Sequence, residues 1–297
     1  MMCTKMLLIC LFAASLLFLP RNAQAQWDPA GLPEMVELHK KATTGIDILP
    51  GQWRPHYLFE QIAWVRPSWG GNDFIWLDFP EAIFTDHGLL FLSHVNPGIV
   101  SVYPELPKVA WRAVDGGIAF DRTLPNGVRF GGVVRKASET KIALSLYIEN
   151  GMTESLGRIK LQTCAFLNGI KEFSELTHEN KFIHVAKDGW IPFAGAHKRE
   201  NPDGKYMLGW RSGPKVADWP IMIARSREAE RWVGMTWYDD TLSLIGNSAH
   251  PCLHADPHFP DLAPGERAEI QGSLLFFEGS LDAFTKVIQA DKPGLFK

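Results

Sequence analysis

Beyond Pro50 the apolar positions come in short runs closed by Gly, Pro, Asn or Asp, the punctuation of β-strands. Asp73 to Asp78, Leu89 to His94 and Val128 to Val134 are runs of this kind. Lys141 to Ile148 alternates less cleanly, as a strand buried on both faces does. From Gly157 to Leu167 the alternation is sharper: Ile159, Leu161 and Thr163 share one face, while Lys160, Gln162 and Cys164 share the other. Ile221 to Ala224, Arg231 to Trp237 and Ala268 to Phe277 continue the theme. This pattern predicts roughly a dozen strands, joined by turns such as Leu124-Pro-Asn-Gly127 and Asn201-Pro-Asp-Gly204. Helices are predicted only at Pro33 to Lys41, with proline at its start, and at Leu281 to Ala290. No segment repeats at a fixed period and no glycine-rich linker divides the chain, so residues 26–297 read as one all-β domain of two layers.

The first 25 residues read differently. Lys5 precedes an apolar run from Met6 to Leu19, Pro20 and Arg21 end it, and Ala23-Gln24-Ala25 is a small-x-small cleavage site. A secretory signal peptide over 1–25 is therefore expected, with the mature protein secreted or periplasmic and without membrane attachment after its removal. Cleavage takes away Cys3 and Cys10 and leaves Cys164 and Cys252, too few for a disulfide scaffold, although one bridge between them stays open. Loss of Lys5 and Arg21 moves the formal charge from -3 to about -5. A mildly acidic chain without basic runs is a poor partner for nucleic acid. Phosphate loops, nucleotide fingerprints and nucleophile elbows are also missing from the sequence, so no cofactor is expected.

Candidate chemistry lies in two polar constellations and in the aromatic content. There are 11 tryptophans, most expected in the core and a few on a sugar-binding cleft, where flat aromatic faces pack on pyranose C–H groups. In His250-Pro-Cys-Leu-His-Ala-Asp-Pro-His258 the prolines exclude a helix. As an extended segment it sets His250, Cys252, His254, Asp256 and His258 on one side and Leu253 and Ala255 on the other. That polar side fits a ligand-facing strand end, a metal site using some of His250, His254, Asp256 and His258, or a solvated loop. The earlier group is Arg66, Trp76, Asp78, Glu81 and His94, with Asp78 beside aromatic residues as sugar hydroxyls require. It reads equally as a strand end with paired carboxylates.

Cys-Leu, an ionisable residue, a polar stretch, Phe259-Pro-Asp261 and Leu262-Ala-Pro-Gly-Glu266 together resemble the C-terminal signature of the galactose mutarotase (aldose 1-epimerase) superfamily. Ile148-Glu-Asn150 followed by Gln162-Thr-Cys-Ala-Phe-Leu-Asn168 is similar to a second segment of that superfamily. The resemblance covers about a quarter of the mature chain. It implies an all-β, galactose mutarotase-like β-supersandwich with short peripheral helices, whose concave sheet holds a carbohydrate, mono- or polysaccharide. The family's glutamate base falls on His254 and its histidine acid on Cys164, and His94 stands loosely for its second histidine. The implied reaction is proton transfer at a sugar carbon or hydroxyl, by epimerisation or by β-elimination from a uronic acid. His254 is expected as base, assisted by Asp256, with His94 as acid. Trp76 and Trp111 would stack on the sugar, and Arg66, Asp78, Glu81 and Gln162 would orient its hydroxyls, with Cys164 beside them. Two other readings stay open: a non-catalytic carbohydrate-binding module, and a metal-dependent hydrolase or lyase using the His250–His258 cluster.

Overall fold

The computed structural model describes residues 45–52, 59–94, 98–227 and 230–297. The leader and the Pro33–Lys41 helix lie outside them, as do Trp27 and Trp53. In chain order the strands are β1 (Asp47–Gly51), β2 (Ile62–Arg66), β3 (Ile75–Thr85), β4 (Gly88–Leu92), β5 (Arg112–Val114) and β6 (Gly117–Thr123). Then come β7 (Arg129–Ser138), β8 (Lys141–Glu149), β9 (Lys160–Phe166), β10 (Lys181–Val185), β11 (Gly189–Pro192) and β12 (Tyr206–Leu208). The last are β13 (Lys215–Ala217), β14 (Ile221–Arg225), β15 (Arg231–Thr236), β16 (Thr241–Asn247), β17 (Cys252–Pro257) and β18 (Arg267–Glu278), followed by helix α1 (Leu281–Asp291).

These strands form two nine-stranded sheets. The first runs β1-β2-β3-β9-β17-β16-β12-β13, with β4 also on β3, and the second runs β11-β10-β14-β15-β18-β8-β7-β6-β5. The fold is an all-β sandwich. Every run marked as a strand in the sequence is one, within a few residues except for β3, which runs seven residues past Asp78 to Thr85. The count exceeds a dozen because β5, β11, β12 and β13 are three or four residues long, too short to carry an alternation. β16 was hidden for another reason: Thr241-Leu-Ser-Leu-Ile-Gly-Asn mixes apolar and polar positions without a period.

One core lies between the sheets. Leu77, Phe79, Ile83, Leu161, Ala165, Leu253 and Ala255 of the first sheet join Phe120, Phe130, Leu144, Val233 and Phe276 of the second. Behind the second sheet a smaller cluster seats Phe284 and Ile288 of α1 against Ile221, Ile223, Trp232 and Leu275. Ser280 caps that helix by accepting from the Ala283 amide. Asp291, at its other end, pairs with Lys141 and accepts from the Tyr238 hydroxyl. Among the described residues no helix packs on the outer face of the first sheet, and its polar residues lie there.

Strand β3 departs from a regular ladder at the point that matters most. Asp78 pairs with Cys164 and Ala82 with Gln162, so four steps along β3 match two along β9. This bulge contains the cis Phe79–Pro80 peptide. In an unbroken strand, positions 75, 77, 79, 81 and 83 would share one face. Here Ile75, Leu77, Phe79 and Ile83 are all core residues, while Glu81 turns to the opposite side. Directly beneath the bulge, Trp237 stacks on Phe79, with ring centroids 5.9 Å apart, and donates its indole N–H to the Thr163 hydroxyl at 3.0 Å. This fully buried side chain joins the two sheets under the polar face. Trp237→Ala should cost about 3–5 kcal/mol by leaving a cavity, and Trp237→Phe about 1–3 kcal/mol through the lost hydrogen bond. Denaturant unfolding measures both, and a near-neutral Trp237→Ala would remove this tryptophan as the link between layers.

Candidate functional site: a polar cavity on the outer face of the first sheet

Register sets the site residues in tiers across β3, β9, β17 and β16. Trp76 pairs with Phe166, Phe166 with Cys252, and Cys252 with Asn247. In the next tier Asp78 pairs with Cys164 and His254 with Ile245. The third tier holds Gln162, Asp256 and Ser243, with Glu81 swung towards it by the bulge. Leu253 and Ala255 point into the core, so the alternation read in the His250–His258 segment is the alternation of a real strand.

Over these tiers lies a cavity of about 570 Å³. Asp78, Glu81, His94, Gln162, Cys164 and His254 all line it. Asp256 is fully buried behind His254. Trp76 is on the same face, packed on the cavity-lining Phe166 at 5.6 Å between centroids. Two expected residues are elsewhere. Arg66 is buried, donating to the Gly45 carbonyl and lying 3.3 Å from Asp47, so it fastens β1 instead of orienting a ligand. Trp111 is a core residue edge-on to Phe120, with its face unavailable for stacking on a sugar.

The sequence reading missed the roof. Trp210 and Arg211 come from the tight connection between β12 and β13 and close over the cavity. Gly209 and Gly213 have φ of +133° and +130°, and Arg211 itself sits at +56°. The Gly-x-x-x-Gly bracket around Trp-Arg was the available signal of a turn that presents an aromatic ring and a guanidinium. Trp210 is the half-exposed member, and its ring stands edge-on to His254 at 4.8 Å. Arg211 lies over the Phe84 ring at 3.7 Å and donates to Gln162 Oε1 at 2.6 Å.

Two polar groupings follow from this packing. Nearer the opening, Glu81 Oε1 is 2.8 Å from His94 Nε2, and Glu81 Oε2 accepts from the Gln162 amide at 2.8 Å. Burial pushes the Glu81 carboxyl up, but the His94 hydrogen bond and the charges of His254 and His94 outweigh it and hold it below its ordinary value. Deeper down, His254 Nε2 is 3.2 Å from Cys252 Sγ, and its Nδ1 is 3.7 Å from Asp256 and 4.0 Å from Glu81. A hydrogen bond from Cys164 and the neighbouring imidazole hold the Cys252 thiol well below its usual value. The same hydrogen bond, with burial, drives Cys164 well above it. Burial pushes His254 down, yet Cys252 and Asp256 more than reverse this and raise it.

Both ring nitrogens of His254 thus face protein groups, and the residue is 2% exposed. Glu81 and His94 form a hydrogen-bonded titratable pair open to the cavity, at 12% and 20% exposure, and the exposed His250 lines it as well. The donor set best arranged for a metal is Cys164, Cys252 and His254, whose ligand atoms lie within 4.8 Å of one another. His258 is instead exposed and engages the Asp240 carbonyl, and His250 packs edge-on to Phe166.

No protein-family model matches the sequence, and no curated protein matches it. Among solved structures the chain is similar to a putative aldose 1-epimerase from Escherichia coli K12, with TM-score 0.42 and 10% identity over 79% of this chain and 100% of that one. It is similar to a GalM/aldose epimerase homologue from C. elegans, with TM-score 0.35 and 9% identity over 80% of this chain and 100% of that one. A polysaccharide lyase is a further likeness, with TM-score 0.36 and 10% identity over 84% of this chain and 35% of that one.

Proposed function

We propose that the chain is an exported protein that binds a carbohydrate in the cavity above β3, β9 and β17 and moves a proton on it. One observation carries this reading: a carboxylate and an imidazole, Glu81 and His94, are hydrogen-bonded to each other inside a cavity of about 570 Å³. That volume suits one or two sugar rings. Asp78 and Gln162 offer hydrogen-bonding groups to hydroxyls, and Trp210 offers an exposed ring at the mouth. These are the groups that polyhydroxylated ligands require, and the resemblance to aldose 1-epimerases implies the same ligand class.

In this reading Glu81 is the base. Its carboxylate, ionised across the neutral range, takes a proton from a ring carbon or hydroxyl, and His94 delivers one to the neighbouring oxygen. Gln162 and His94 fix the carboxylate in one orientation, which lowers the entropy cost of reaction. His254, buried, with Nε2 on Cys252 and Nδ1 3.7 Å from Asp256, supports the floor of the site. Epimerisation and β-elimination both begin with this proton removal.

Calorimetry against aldoses and uronate oligosaccharides, followed by NMR of the products, tests the proposal. Glu81→Gln should lower turnover by about 10²–10⁴-fold and leave affinity within about tenfold. Unchanged turnover in Glu81→Gln would remove the base, and binding by the wild type without turnover would leave a non-catalytic sugar-binding module. Trp210→Ala should weaken binding by about 2–10-fold through the lost ring face, and an unaltered Kd would exclude stacking at the mouth. Expressed with its leader, the protein should mature to an N-terminus at Gln26, which intact-mass measurement of the exported product reads directly. A retained leader overturns export by this route.

A further inference from the structure

Three soft or borderline donors converge at the floor of the cavity. Cys164 and Cys252 lie on neighbouring strands, His254 is two residues along β17 from Cys252, and all three ligand atoms fall within 4.8 Å of one another. We propose that this Cys₂His cluster is a binding site for a zinc-class divalent cation, with three protein ligands and a fourth position facing the cavity.

The geometry supports the assignment in four ways. Zinc takes thiolate sulfur at about 2.3 Å and imidazole nitrogen at about 2.0–2.1 Å in tetrahedral array, which puts ligand atoms roughly 3.5–4 Å apart. The cluster meets that spacing after small side-chain shifts, since Cys252 Sγ and His254 Nε2 are already 3.2 Å apart. Secondly, the donors are held by adjacent strands of a nine-stranded sheet, so little ordering remains to be done when the ion arrives. Thirdly, His254 presents Nε2 to the cluster while its Nδ1 looks at Asp256, 3.7 Å away. This metal–imidazole–carboxylate relay fixes ring orientation in metal sites generally. Lastly, Asp78, Glu81 and Asp256 set three carboxylates around the cluster, against two cations among the described residues, Arg211 lining the cavity and Lys181 near Cys252. That local excess of acidic groups favours a bound cation.

The set also accounts for its own composition. Two cysteines and a histidine select a borderline-soft ion over magnesium or calcium, which prefer an all-oxygen cage. The open fourth position leaves room for water or a ligand oxygen, the arrangement of reactive zinc sites. The inference does not rest on the carbohydrate reading: metal binding stands even if no sugar binds, and sugar binding stands if no metal does.

The test uses the full-length mature chain, reduced with a phosphine and stripped with a chelator. Cobalt(II) is the probe. One equivalent should bind, giving thiolate-to-cobalt charge transfer in the near ultraviolet and intense tetrahedral visible bands, and zinc should displace it. Cys164→Ser and Cys252→Ser should each abolish the charge-transfer intensity or reduce it by about half. Asp256→Asn should weaken cobalt affinity by about 10–100-fold while the visible bands persist at saturation. Circular dichroism of each variant confirms that it folds. As a check free of substitutions, X-ray absorption of the zinc-loaded wild type should show two sulfur ligands and one histidine. Reduced wild-type protein with both thiols titratable and no cobalt bands overturns the site, as does an all-oxygen or nitrogen-oxygen shell around the zinc.

Discussion

Four residues of β3 set against two of β9 are the constraint on which the site depends. A strand has two faces, and regular alternation assigns each residue to one of them. Glu81 falls on the face of Leu77, Phe79 and Ile83, where an ionised carboxylate would meet an apolar core at prohibitive desolvation cost. The bulge removes the conflict locally. Phe79 and Ile83 stay inside, Glu81 turns out, and Asp78 keeps its place opposite Cys164. The bulge is braced on both sides: the Phe79 amide donates to the Gln61 carbonyl, and the Glu81 carbonyl accepts from the Ser93 amide. Beneath it, Trp237 fills the space under Phe79 and joins Thr163.

The tiers above this bulge form a buried polar layer joined by hydrogen bonds among its members. Thr163 shows how closely layer and core are joined: its amide donates to Asp256, while its hydroxyl donates to the Ala255 carbonyl and accepts from Trp237. A shift of β9 by one residue would move Gln162 and Cys164 into the core and break these contacts together. Trp210 packs over His254 at the deep end, while the Glu81–His94 pair keeps partial exposure. Floor and rim are therefore chemically distinct. The floor gathers thiols and an imidazole, and the rim gathers a carboxylate, an imidazole and an aromatic ring.

Alternation made much of this legible from residues alone. Gln162 and Cys164 were assigned to one face of β9, and Cys252, His254 and Asp256 to one face of β17, because a period of two needs no tertiary information. Arg66 and Trp111 show the limit. Both have the chemistry of a ligand contact, yet Arg66 lies on the same face of β2 as Trp64 with Asp47 within reach, and Trp111 meets Phe120 across a turn. Nothing in residue type separates a guanidinium that binds a ligand from one that ties down an edge strand. Trp210 and Arg211 were missed because a six-residue connection between two three-residue strands carries no periodicity.

What the sequence by itself determined is the longer strands, the face each polar residue occupies in the regular strands β9 and β17, and the apolar core that follows. These depend on local sterics and on the period of the side chains, and both are written in consecutive residues. Only the tertiary structure decided that β3, β9, β17 and β16 lie side by side, that the bulge turns Glu81 outward, and that a distant turn roofs the cavity. The order of these four strands and the bulge position depend on pairing between distant segments, such as Thr163 with Asp256, 93 residues apart. The free energy of those pairings belongs to contacts that no stretch of consecutive residues contains.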